Sequence, residues 1–122
     1  MALLKEHPDA VLYLLDFMVG IDEHLDPNES ELFVERAFSY WPGDFEQVQA
    51  KIQWIAELWK EHDREHLLDE ACAIILRHGS VDTDLDLLRQ MAAVDGAIDP
   101  REQELFNRIS MKLGRKPSTL SL

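Results

Sequence analysis

Asp95-Gly96-Ala97-Ile98-Asp99-Pro100-Arg101-Glu102 decides how this chain is read, because a second version stands 73 residues earlier as Asp22-Glu23-His24-Leu25-Asp26-Pro27-Asn28-Glu29. Both copies have the form D-x-x-x-D-P-x-E. Upstream, Asp9, Leu12, Leu14, Leu15 and Met18 return as Asp82, Leu85, Leu87, Leu88 and Met91. Downstream, Glu31-Leu32-Phe33 returns as Glu104-Leu105-Phe106. About half of the positions from Asp9 to Phe33 are identical to their counterparts. Identity at one fixed offset over such a span marks an internal duplication.

Around the two motifs, apolar residues recur at helical spacing. Pro8 suits a first helical turn, and Val11, Leu12, Leu14, Leu15, Met18 and Val19 give one broad apolar face on a helix running to about Ile21. Asp26-Pro27-Asn28-Glu29 is a helix start: Asp26 caps, Pro27 takes the first helical position, and Glu29 returns a bond to the cap's own amide. Leu32, Phe33, Ala37, Phe38 and Trp41 mark the buried side of this second helix, which Trp41-Pro42-Gly43 ends.

Asp44 and Gln47 repeat the capping logic for a third helix. Its two apolar rows, Val48-Ile52-Ile55-Trp59 and Ala50-Trp54-Leu58, imply more than one neighbour. The polar run from Lys60 to His66 reads as a break with Asp63 as the next cap, one long bent helix being the alternative. Leu67, Leu68, Ala71, Cys72, Ile74 and Ile75 line a fourth helix that stops at His78-Gly79, a left-handed C-terminal signal. Ser80 or Asp82 starts a fifth, which buries Leu85, Leu88, Met91 and Ala92 and ends near Val94. The sixth follows the second motif, with Leu105, Phe106, Ile109 and Leu113 inward and Gly114 closing it.

No segment alternates with the period of two that a strand needs. The expected fold class is therefore all-α, a compact bundle of six helices. The duplication predicts a pseudo-two-fold relating the first two helices to the last two, with the third and fourth between them. A single domain covers 1–114, its repeat halves falling at about 9–41 and 82–114, and 115–122 form a short basic tail.

The chain carries 24 Asp and Glu against 12 Lys and Arg, a formal charge of −12. Such a field repels phosphate backbones and anionic lipid, so nucleic acid is not an expected ligand, while cations and basic protein partners are favoured. Cys72 is the only cysteine, so no internal disulfide forms, and its apolar setting suits a buried thiol. Lys5, Glu6, His7 and Asp9 interrupt the apolar residues that a signal peptide would need. No apolar run approaches the roughly 20 residues of a membrane span. A cytoplasmic protein with no integral membrane segment is expected.

D-P-x-E has a plain reading as helix capping, worth about 1 kcal/mol per cap. Asp22 and Asp95 ask for more. Each falls at the C-terminal end of a helix, where exposed carbonyls disfavour an anion, so something positive is expected to offset it. A short corner that gathers Asp95, Asp99 and Glu102 offers three oxygen donors, which loop carbonyls and water complete as a site for Ca²⁺ or Mg²⁺. Asp22, Asp26 and Glu29 form the matching set. Gly96 suits the left-handed residue of such a turn, whereas Glu23 stands there in the first copy, so the second site is the better formed. The spacing is too short for an EF-hand loop.

The string Met91-Ala92-Ala93-Val94-Asp95-Gly96-Ala97-Ile98-Asp99-Pro100-Arg101-Glu102, flanked by Leu-rich helices, resembles the TerB-like family of tellurite-resistance proteins. The likeness covers roughly Asp9 to Leu113. It implies an all-helical, internally repeated, non-enzymatic domain tied to bacterial stress response and tellurite resistance. It also implies metal-binding acidic residues, which by position fall on Asp95, Asp99 and Glu102 and on Asp22, Asp26 and Glu29. Some members of that family are attached to co-chaperones, which implies an unidentified protein partner. The Glu23-His24 pair departs from the family's Asp-Gly.

Three rival features carry less. His62-Asp63-Arg64-Glu65-His66 matches H-x-x-E-H, and two histidines four apart share a helix face, but no third ligand or cleft is evident for zinc chemistry. His7, His24 and His78 read as surface residues. Trp54 and Trp59 read as core, or, if exposed, as a protein-binding patch. The second functional expectation is thus an adaptor that binds another protein through a groove or its acidic surface, with the repeated loops serving only as caps.

Overall fold

A computed structural model describes residues 3–20, 27–41, 43–93 and 99–116, the side chains of 19, 20, 27–30, 32, 36 and 40 aside. Six α-helices follow in order: α1 (His7–Gly20), α2 (Pro27–Tyr40), α3 (Phe45–Glu61), α4 (Arg64–His78), α5 (Val81–Ala93) and α6 (Pro100–Lys112). Among the described residues there is no strand, and no helix is long and apolar enough to cross a membrane.

Local signals set the helix ends. Asp44 accepts from the Gln47 amide at 2.9 Å and Gln47 Oε1 accepts from the Asp44 amide at 3.0 Å, a closed capping box at α3. The chain then turns extended at His62, and Asp63 caps α4 by accepting from the Glu65 amide at 3.0 Å. Two helices, not one bent helix, therefore occupy this stretch. Gly79, at φ +83°, ends α4 in the left-handed conformation that a side chain resists.

α1 is the centre. The sequence suggests one broad apolar face, but Ala10 to Leu15, Phe17 and Met18 are all buried, Tyr13 among them, and α1 packs against all five other helices. A helix surrounded this way keeps little solvent face, and among its described side chains only His7, Pro8 and Asp16 are partly exposed. Leu67, Leu68, Ala71, Cys72, Ile74 and Ile75 of α4 are buried as expected, and so are Leu85, Leu88, Met91 and Ala92 of α5 and Leu105, Phe106, Ile109 and Leu113. On α2, Phe33 and Ala37 are buried with Trp41 just beyond, whereas Phe38 is exposed and stacks on the exposed ring of Phe45, centroids 5.7 Å apart. Phe38 lies one position past Ala37, off the inward row.

Polar ties fix the directions. Glu65 and Asp69 of α4 pair with Arg108 and Lys112 of α6, one turn apart on both helices, so the two run parallel. Arg115, in the expected basic tail, is held by Asp82 at 2.9 Å, bringing the end of α6 to the start of α5. The amides of Leu3 and Leu4 donate to Glu70 of α4 at 2.8 and 3.2 Å, and the Tyr13 hydroxyl donates to the Arg64 carbonyl at 3.4 Å, so α1 and α4 are antiparallel.

Truncation at the centre of α1 tests this arrangement. Leu12→Ala removes a fully buried side chain from a helix with neighbours on every side, and should lower the unfolding free energy by about 2–5 kcal/mol in urea titration. Leu76→Ala, at an exposed position of α4, should change it by less than about 0.5 kcal/mol.

Candidate functional site

Of the six acidic residues expected to form metal sites, the side chains of Asp99 and Glu102 are described. Asp22, Asp26 and Asp95 lie outside the described residues, and Glu29 is placed in α2 without its side chain. Asp99 Oδ1 accepts from the Arg101 amide at 2.8 Å and from Arg101 Nε at 3.2 Å. Glu102 Oε1 accepts from the Asp99 amide at 3.3 Å, so the pair closes a capping box at the start of α6. The Arg101 guanidinium and amide hold the Asp99 carboxyl below the usual carboxylate range.

This box differs from the one at α3 in one respect. Gln47 sits in solvent, while Glu102 is 1% exposed. Capping requires no burial, as α3 demonstrates, so the sequestered carboxylate of Glu102 goes beyond what the helix end needs. Among the described residues, no three His, Cys, Asp or Glu side chains are grouped to hold a metal ion. His62 and His66 are exposed, His66 pairing with Glu70 at 2.8 Å. Cys72 is buried, and its burial pushes the thiol up to about 12, which suits packing and not nucleophilic chemistry.

Two further polar centres lie at the start of α1, and neither is announced by a motif. The carboxylate of Asp84 is 2% exposed, and His7 Nε2 lies 2.8 Å from its Oδ2. The Ser80 hydroxyl donates to the same oxygen at 2.6 Å and sits 2.9 Å from both His7 Nε2 and His78 Nδ1. The His7 and His78 rings stack with centroids 3.8 Å apart. His7 is thus not the surface residue that its polar setting suggests. Serine and aspartate meet the same imidazole nitrogen, so this is not the relay of a nucleophilic triad, which uses both nitrogens.

The second centre is Asp9, 2% exposed in the first turn of α1. Its Oδ1 accepts from the Trp41 indole at 3.0 Å and lies 3.9 Å from Lys51 Nζ, and its Oδ2 accepts from the Glu6 amide at 3.4 Å. Above it opens a groove of about 680 Å³ lined by Glu6, Trp41, Gln47, Ala50, Lys51 and Trp54. Lys51 Nζ sits 4.9 Å from the centroid of the Trp54 ring. Trp54 is half-buried, with part of its ring on the groove, whereas Trp59 packs edge-on to Phe17 at 4.6 Å beneath the Arg64 guanidinium. The buried indole N–H of Trp41 finds its acceptor in the acid of the first turn of α1, whereas that of Trp59 finds none among the described residues, so a tryptophan in the sequence does not by itself announce such a site.

No family model matches the chain, and searches among curated proteins and solved structures return no match.

Asp16 of α1 gives the fold a pH signature. Burial raises its carboxyl to about 6. A folded value above the unfolded one, near 3.8, means that the folded state holds the proton more tightly between these values. This contribution to stability is fully present below pH 3.8 and is lost as pH rises through 6. Asp16→Asn should therefore stabilise the fold at pH 7.5 by roughly 1–3 kcal/mol and have little effect near pH 3.5, read from paired denaturation curves.

Proposed function

We propose that the chain is a non-enzymatic, cytoplasmic helical module of TerB-like character that takes up a divalent cation, Ca²⁺ or Mg²⁺, at the corner entering α6. Asp95, Asp99 and Glu102 are the donors there, and Asp22, Asp26 and Glu29 form a twin site at the corner entering α2. The burial of Glu102 carries this reading. A carboxylate withdrawn from water at the start of α6, beside Asp99 and inside the D-x-x-x-D-P-x-E repeat, supplies oxygen donors of the kind that Ca²⁺ and Mg²⁺ take.

The pseudo-two-fold that would make the corners equivalent is supported by His7 and Ser80. They are 73 residues apart, the repeat offset, and touch at the starts of α1 and α5. The setting in stress response and tellurite resistance rests on the resemblance of the motif.

The open groove under Trp41 and Trp54 favours a second reading, an adaptor that docks a partner protein there while the acidic corners serve as caps.

Calorimetric titration separates the two. Under the first reading, Ca²⁺ or Mg²⁺ binds with measurable heat and raises the melting temperature, the stabilisation reaching about 2.7 kcal/mol at a hundred times the dissociation constant. Asp95→Asn should remove most of that effect. No heat and an unchanged melting temperature with millimolar amounts of either ion would overturn it.

A further inference from the structure

We propose that the groove between α1, α2 and α3 is a receptor for a cationic side chain, arginine or lysine, presented by a basic, apolar segment of a partner protein. This rests on the adaptor reading and is independent of the acidic corners.

A cation is already in place. Lys51 lies over Trp54, three residues on along α3, and its Nζ comes within 3.9 Å of Asp9 Oδ1 on α1. The face of an indole and a carboxylate are the two partners that attract an ammonium or guanidinium group. The carboxylate lies behind the groove lining, where Lys51 is the residue that reaches it: Asp9 is buried and fixed from two sides by the Trp41 indole and the Glu6 amide, so it pays little ordering entropy when another cation takes the place of Lys51. Lys51 is the weaker half of the arrangement. Its side chain is 47% exposed, and 3.9 Å is a long contact for an ion pair. A guanidinium with a planar fork could bind the carboxylate and stack on Trp54 more closely than this single ammonium does. Lys51 then acts as an internal occupant that swings out into water when the partner enters.

The rest of the groove selects a chain over a free ion. Trp41, Ala50 and Trp54 give it apolar walls, and about 680 Å³ exceeds what one small cation fills. Glu6 on the rim and the net charge of −12 favour basic approach and oppose an acidic partner.

Replacing Lys51 makes the test specific, because removing a cation from a true cation receptor should strengthen binding. Indole N–H resonances of the ¹⁵N-labelled full chain are followed during titration with three blocked peptides, Ac-Ala-Leu-Arg-Leu-Ala-amide and the versions with Gln or Glu in place of Arg. Expected is a saturable shift of Trp41 and Trp54, but not Trp59, with the Arg peptide, and affinity for the Gln peptide about tenfold lower or less. Lys51→Gln should tighten the Arg peptide about threefold or more, while Lys60→Gln, the same charge change at an exposed site on the same helix, should leave it within about twofold. Equal binding of the Arg and Gln peptides would overturn the cationic specificity while leaving a docking groove. Weaker binding by Lys51→Gln would overturn the displacement of Lys51. Equal saturation by tetramethylammonium at the same concentrations would overturn a chain as the ligand. No shift of Trp54 with any peptide would remove the adaptor reading as well.

Discussion

Burial of α1 on every side is the constraint from which the rest of this structure follows. A helix with so little solvent face cannot rely on water for its polar groups, so the amides and charges at its start and just before it must be met by neighbours. They are met by carboxylates from three directions. Glu70 of α4 receives the amides of Leu3 and Leu4, Asp84 of α5 faces His7, and Asp9 of α1 itself receives the Trp41 indole beyond α2 and the Glu6 amide. Each partner comes from a different part of the bundle, so the start of α1 is where α4, α5 and the end of α2 are tied together. Acidic groups also suit the positive end of a helix dipole.

The same constraint places the groove. Trp41 must turn inward to give its indole hydrogen to Asp9, which draws the end of α2 against the start of α1. α3 begins only a few residues later, after Asp44, and its first turns cannot close over the bulk of that ring. The space left between Trp41 and Trp54 is the open groove, with Lys51 in its lining. The corner entering α6 is different in kind. Its geometry is local, a capping box within four residues, and its singular feature is that Glu102 is carried inside with it.

What the sequence made legible was whatever depends on neighbours in the chain. Asp44 with Gln47, Asp63, and Gly79 at positive φ act within one turn, and each stands where its residue type placed it. The core rows of α4, α5 and α6 were equally plain, because one face of each helix meets α1. α1 exceeds the one broad face expected of it: Tyr13 and Phe17 add apolar surface on its other side, and a helix apolar nearly all round is a buried one. The sites at Asp9 and Asp84 carry no such local signal. Their partners, Trp41 and His7, are distant in sequence, and only packing brings them together. Phe38 was placed inward by its apolar character, yet it found a partner in Phe45 on the surface.

Native-state hydrogen exchange tests the central role of α1 most directly. If α1 is enclosed by all five other helices, the amides of Leu12 to Met18 should exchange only through global unfolding. Their opening free energies should then equal the value from denaturant titration and share its denaturant dependence. Exchange of those amides through small, denaturant-independent openings, while α4 or α6 stayed protected to the global limit, would contradict it.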